Sequence, residues 1–151
     1  MDYNASFAIS AVGMDIERAR VEVAALNLAN ANTVQQAGRT YQPLRVVAQA
    51  VAPGGAPAAD FATLVEQATG LAESQVPLVS IEASGAAPRR VHEPGHPLAD
   101  AQGYVSYAGV DTAAEMVQLM SATRAYEANV VAMNTARTLA LRALDIGGGN
   151  A

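Results

Sequence analysis

Near the start of the chain, Ile9, Val12, Ile16, Ala19, Val23, Leu26 and Asn30 recur at alternating steps of three and four. That spacing keeps one face of a helix turned toward a partner helix. Met14, Val21 and Leu28 form a second apolar row one heptad apart, with Asp15, Arg18, Arg20 and Glu22 between the rows. A helix that is apolar on two sides is expected to be covered on two sides. Near the other end, Met116, Leu119, Met120, Tyr126, Val130, Met133, Leu141 and Leu144 fall largely along one helical side. The period between these segments changes to two. Leu44, Val46, Ala48 and Ala50 alternate with Arg45, Val47, Gln49 and Val51, and Val79, Ile81 and Ala83 alternate with Leu78, Ser80 and Glu82, which predicts two strands. A third strand is expected at Gly103–Tyr107. Phe61, Leu64, Val65, Ala68 and Leu71 suit a short helix between Asp60 and Gly70.

Helix breakers draw the same map. All seven prolines, from Pro43 to Pro97, lie in the middle, and no Gly or Pro occurs between Val110 and Ile146. Proline removes a helical hydrogen bond and clashes with the preceding turn, so the two ends are where long helices are permitted. Asp111, or the box from Thr112 to Glu115, can cap the last helix, and Ile146-Gly147-Gly148-Gly149 closes it. Ala52-Pro53-Gly54-Gly55-Ala56-Pro57 reads as a loop. The expected fold is α+β: two long terminal helices pairing as an antiparallel coiled coil, with a small β-rich middle. The expected division is 1–32 for the first helix, 33–110 for the middle segment and 111–151 for the last helix and tail.

Composition sharpens this reading. Hydrophobic residues make up 51% of the 151, yet aromatics only 5%, so a dense core of large side chains is hard to build and burial against neighbours is favoured. A formal charge of −5, with nine arginines and no lysine, supplies no basic stripe for nucleic acid or anionic lipid. Cysteine is absent, which excludes disulfides, thiolate nucleophiles and Cys-based zinc sites. The start of the chain has neither a basic opening nor a continuous apolar run, so no cleaved secretory signal is expected. No stretch reaches the ~18 apolar residues of a membrane span.

His92-Glu93-Pro94-Gly95-His96 literally satisfies the zinc-protease string H-E-x-x-H. That chemistry needs a helix to bring both histidines to one face with the glutamate between them. Pro94, Gly95 and Pro97 make the segment a turn, so a zinc hydrolase using His92, Glu93 and His96 is the weaker alternative. There is no nucleophile elbow, P-loop or dinucleotide fingerprint, and Met116, Met120 and Met133 suit an apolar helix side better than a soft-metal site. No cofactor and no small-molecule substrate are expected. Asn27, Asn30, Asn32, Asn129 and Asn134 lie within or beside the apolar rows. A seam asparagine costs stability but fixes register and partner choice, although Asn30 and Asn32 could equally close the first helix.

Leu26-Asn27-Leu28-Ala29-Asn30-Ala31-Asn32-Thr33 resembles the Ala-Asn-x-x-Thr motif that closes the first helix of bacterial flagellar rod and hook proteins. Ala122-Thr123-Arg124-Ala125-Tyr126-Glu127-Ala128-Asn129-Val130 and Leu141-Arg142-Ala143-Leu144-Asp145-Ile146 resemble their last helix. Pro94-Gly95-His96-Pro97, followed by Asp100-Ala101-x-Gly103-Tyr104-Val105, is similar to a proximal member of the rod family. Val34 after Thr33, and Ala108-Gly109 with Asp111 before the last helix, depart from the usual pattern.

The resemblance implies a non-enzymatic subunit of the basal-body rod that crosses the periplasm and transmits torque to hook and filament. It also implies delivery by the flagellar type III export apparatus, and neighbours that are copies of itself and other rod proteins. The assembly interface is expected to use Ile9, Val12, Ile16, Val23, Leu26, Asn27, Asn30, Asn32, Thr33, Met116, Met120, Tyr126, Asn129, Val130, Met133, Asn134, Leu141 and Leu144. A helical export adaptor or chaperone that does not polymerise is the other alternative.

Overall fold

The computed structural model describes residues 3–36, 41–49 and 77–148. Its elements run α1 (Tyr3–Asn30), β1 (Leu44–Gln49), β2 (Leu78–Ala83), β3 (Arg89–His92), β4 (Tyr104–Tyr107) and α2 (Thr112–Gly148). The helix expected at Asp60–Gly70 and the loop at 52–57 lie outside the described residues. The chain divides into two compact units, one within Met1–Ile16, Ala48–Val79 and Ala125–Ala151, the other within Glu17–Val47 and Ser80–Arg124.

Helix α1 is covered along a row of small and polar residues. Ser10, Ala24, Asn27 and Ala31 are buried, and Gly13, Glu17 and Arg20 are half-buried, all at steps of three and four. This row lies one position C-terminal to the apolar row read from the sequence. Of that apolar row, Val23 is buried, whereas Ile9 is 73% and Leu26 51% exposed. Small residues let another backbone come close, as at Gly13, where an added Cβ would stand 2.9 Å from the Asn129 carboxamide.

The end of α1 is closed by its own asparagine. Asn30 Nδ2 donates to the Leu26 carbonyl (2.8 Å), Asn30 Oδ1 accepts from the Thr33 hydroxyl (3.2 Å), and Thr33 N donates to the Asn30 carbonyl (3.0 Å). These bonds satisfy acceptors that a helix end leaves open.

Strands β1 and β2 pair with each other, and β3 and β4 form an antiparallel hairpin in the register Arg89↔Tyr107 to His92↔Tyr104. Strand β3 was not expected, because four residues led by two arginines and ending in a proline-rich turn carry little strand signal. The other edge of β4 takes up the chain leaving α1: Val34 bridges Tyr107, Gln35 N donates to Ser106 O (2.7 Å), and Ala108 N donates to Thr33 O (3.1 Å). Ala31, Ala108 and Val110 pack together with Tyr41 beside them, and Val105 is wholly buried.

The β3–β4 connection is built on Asp100. Its Oδ1 accepts from Gln102 N (2.9 Å) and Tyr104 N (2.8 Å), and Arg90 pairs with Oδ2. The backbone donor of Tyr104 is the chief reason that this carboxyl sits below the usual aspartate range, with burial opposing and Gln102 and Arg90 assisting.

Helix α2 begins where Asp111 Oδ1 accepts from Ala113 N (3.0 Å) and Ala114 N (3.2 Å), so Asp111 supplies the N-cap. At 37 residues the helix is roughly 55 Å long at ~1.5 Å per residue. Its covered positions are Glu115, Leu119, Ala122, Ala125, Asn129, Met133, Ala136 and Ala140, at steps of three and four, with Val130 half-buried beside them.

Two glycines make contrasting predictions. A Cβ at Gly109 would lie 2.1 Å from the Ala87 carbonyl oxygen, a fixed backbone atom. Gly109→Ala should therefore destabilise that unit by about 1–3 kcal/mol. Gly13→Ala meets only the end of a side chain and gains ~1 kcal/mol of helix propensity, so it should be close to neutral. Denaturant melts of the two variants test this; equal effects would refute the placement.

Candidate assembly interface

The most highly connected side chain among the described residues is Asn27, which has no exposed surface. Its Nδ2 donates to the Leu44 carbonyl (2.8 Å) and to Glu115 Oε1 (2.8 Å). Its Oδ1 accepts from the Tyr41 hydroxyl (2.8 Å) and from Leu44 N (2.9 Å). Two donors and two acceptors are thus all used, which is the full capacity of a carboxamide. The partners come from the segment before β1, from β1 itself and from the first turn of α2. Glu115, read from the sequence as part of a capping box, instead turns its carboxylate to Asn27. Tyr41 carried no sequence signal for this role, because it sits in a short polar stretch with no periodicity.

The remaining expected interface residues divide by exposure. Val23 is buried; Val12, Ile16, Asn30, Thr33, Asn129, Val130 and Met133 are half-buried; Asn32 and Asn134 are exposed. Met116 (59%), Met120 (54%), Leu141 (53%) and Leu144 (71%) are open, and Tyr126 is exposed to a smaller extent. Val117, Val131, Leu139 and Ile146 join them as exposed apolar residues that the sequence reading did not single out. Polar residues on the same helix are satisfied internally: Thr123, Thr135 and Thr138 hydroxyls donate to the carbonyls of Leu119, Val131 and Asn134, and Asn129 Nδ2 donates to Ala125 O. These side chains leave little unmet polar demand on α2, and its exposed large apolar residues are candidate contact positions.

The H-E-x-x-H string has a different geometry from its chemistry. His92 ends β3 with its ring 5.0 Å from that of Tyr104, and a turn follows at Pro94-Gly95. Glu93 accepts from the Tyr107 hydroxyl (2.8 Å), and His96 Nδ1 accepts from Leu98 N (3.1 Å). The two histidines share no helix face, and among the described residues no three His, Asp or Glu side chains gather as a metal set. No helix among them is long and apolar enough to cross a membrane.

Residues 101–146 match the family model described as the C-terminal part of the flagellar basal-body rod FlgEFG proteins, a span that holds most of α2. The flagellar basal-body rod protein FlgC of Salmonella typhimurium is 38% identical over 142 residues, 93% of this chain and 95% of that protein. The chain belongs to the FlgC family of flagellar basal-body rod proteins. FlgC of Escherichia coli O157:H7 is likewise 38% identical, and FlgC of Bacillus subtilis is 33% identical over 94% of this chain and 96% of its own length. As a FlgC-family member the chain is a structural component of the flagellar basal body and not an enzyme.

The Asn27 node makes the first prediction for this FlgC-family chain. Asn27→Asp keeps the shape, loses both donors and sets a second carboxylate against Glu115. An unsatisfied buried partner costs about 1–3 kcal/mol, so stability should fall by at least ~2 kcal/mol, with the largest rise in amide hydrogen exchange at Leu44–Gln49. Unchanged exchange there would show that the node does not hold β1.

A second prediction concerns alkaline pH. Burial, and then the Glu115 carboxylate, raise the Tyr41 hydroxyl above its ordinary value of 10.0; the bond to Glu93 chiefly raises Tyr107. Both groups hold their protons more tightly when folded. Their contribution is therefore complete below pH 10 and is lost as pH climbs from there through the raised values. Ultraviolet titration should find tyrosines ionising late, and Tyr41→Phe should remove one of them and flatten the alkaline loss of melting temperature.

Proposed function

We propose that this chain is a subunit of the proximal rod, the part of the flagellar drive shaft that crosses the periplasm and carries torque from motor to hook and filament. The observation that carries the reading is the exposure of large apolar side chains on α2, Met116, Met120, Leu141 and Leu144 among them, in a chain of the rod family. Four large side chains left in water cost about 1.5–3 kcal/mol each relative to burial, a driving force that contact with other rod subunits would recover.

In this reading the terminal helices of each copy, 1–32 and 111–151, pair as an antiparallel coiled coil that lines the polymer, and 33–110 lies outside them. Two contacts support the pairing. Asn27 bonds Glu115, and Gly13 faces Asn129. Subunits reach the rod through the flagellar type III export apparatus, and their neighbours there are copies of the chain and other rod proteins. Among the expected interface residues from Ile9 to Thr33 and from Met116 to Leu144, the exposed and half-buried ones are the positions proposed to make these contacts, while Val23 and Asn27 are buried within the chain.

Replacing Met120 and Leu141 together by glutamate tests the reading. The isolated protein should keep its helix content by circular dichroism, while cells carrying it as their only copy lose swimming and yield basal bodies without the chain. Intact rods in cells from which the gene has been deleted would overturn the assignment to the rod.

A further inference from the structure

The sulfur of this chain is all thioether: the sequence has five methionines and no cysteine. No thiol therefore competes for a two-electron oxidant, and the thioethers are its first targets. Four of the five lie among the described residues. Met14 and Met133 are half-buried, whereas Met116 and Met120 are each more than half exposed. An oxidant has to reach a sulfur lone pair, so exposure sets the second two apart from the first two. Met116 and Met120 also stand four positions apart on α2, inside one compact unit. That spacing puts about 5–6 Å between their Cβ atoms, so the two side chains belong to one patch.

We propose that Met116 and Met120 are a paired oxidation site, at which a peroxide converts both to sulfoxides in the unassembled chain, and that the oxidised chain stays folded but no longer enters the rod. The second half rests on the rod reading. In each step a sulfur lone pair attacks a peroxide oxygen and the O–O bond breaks. Sulfur keeps that oxygen and is oxidised by two electrons. With hydrogen peroxide, a proton shift lets the other oxygen leave as water.

Folding and assembly respond differently because only assembly covers these two side chains. In the free chain a sulfoxide oxygen is hydrated, and the covered positions of the same turns, Glu115, Leu119 and Ala122, are untouched. A contact that would have covered two thioethers has to cover two strong acceptors instead. Each acceptor left unpaired there weakens the contact about tenfold, and the two together about a hundredfold.

The test has two arms. In the first, purified full-length chain is treated with hydrogen peroxide, each methionine is followed by peptide mass spectrometry, and helix content and melting are read by circular dichroism. Met116 and Met120 should gain oxygen at least about threefold faster than Met14 and Met133, with the melting curve unchanged when both are oxidised. Equal rates at all four, or unfolding on oxidation of the pair, would overturn the site. In the second arm, cells newly making the chain are given hydrogen peroxide, and the unassembled pool is compared with chain in purified basal bodies. The pool should carry sulfoxide at both positions, and the basal-body chain at least about tenfold less. Equal sulfoxide in the two fractions, or none in the pool, would overturn exclusion of the oxidised chain while leaving the rod reading intact. Absence of the chain from basal bodies of untreated cells would instead sink the rod reading.

Discussion

A single buried carboxamide holds the best-packed part of this molecule together. Asn27 lies on a helix, yet all four of its hydrogen bonds go to other segments: to Tyr41, to both backbone groups of Leu44, and to Glu115. For Leu44 it serves as a neighbouring strand would, giving one donor and one acceptor to the first residue of β1. For α2 it fixes the first turn, the point from which the rest of that helix is aimed. Only a side chain with both polarities can do this. A carboxylate lacks the donors, and an apolar residue would take this partner from four polar groups.

The composition follows from where contact has to be close. Alanine, glycine and serine occupy the covered rows of the helices, because a hub with such short reach works only if the chain segments around it approach nearly to backbone contact. Larger apolar residues are covered only at a few places, among them Val23, Leu119 and Met133. Many of the bulkiest side chains stay open, an inversion of the usual soluble pattern, in which they face inward. With so few aromatics, the chain leaves much of its large apolar surface in water, at Ile9, Leu141 and Leu144 among others.

This inversion also sets what the sequence could disclose. The helices, their limits and the strands at Leu44, Leu78 and Tyr104 were legible, because proline, glycine and period report local geometry directly. The apolar row from Ile9 to Leu26 was legible as a row, but periodicity cannot say whether a row faces the same chain or another. Its one-residue offset from the covered row became apparent only from burial, since Ser10, Gly13 and Asn27 are poor markers of an inner face. Strand β3 was hidden because its partner, β4, and the Asp100 turn hold Arg89–His92 in place more than any preference of those residues does. Asn27 was singled out, but its partners lie as far away as Glu115, and no spacing rule connects them.

The two methionines on the open face of α2 have a further consequence. Thioether side chains are unbranched and polarisable, and they reach several shapes at similar cost. A surface presenting Met116 and Met120 together can mould itself to neighbours that are not quite alike, where leucine or isoleucine would leave a gap with one of them. Such a surface trades sharpness of fit for tolerance of misfit, which suits a junction between parts whose geometries differ.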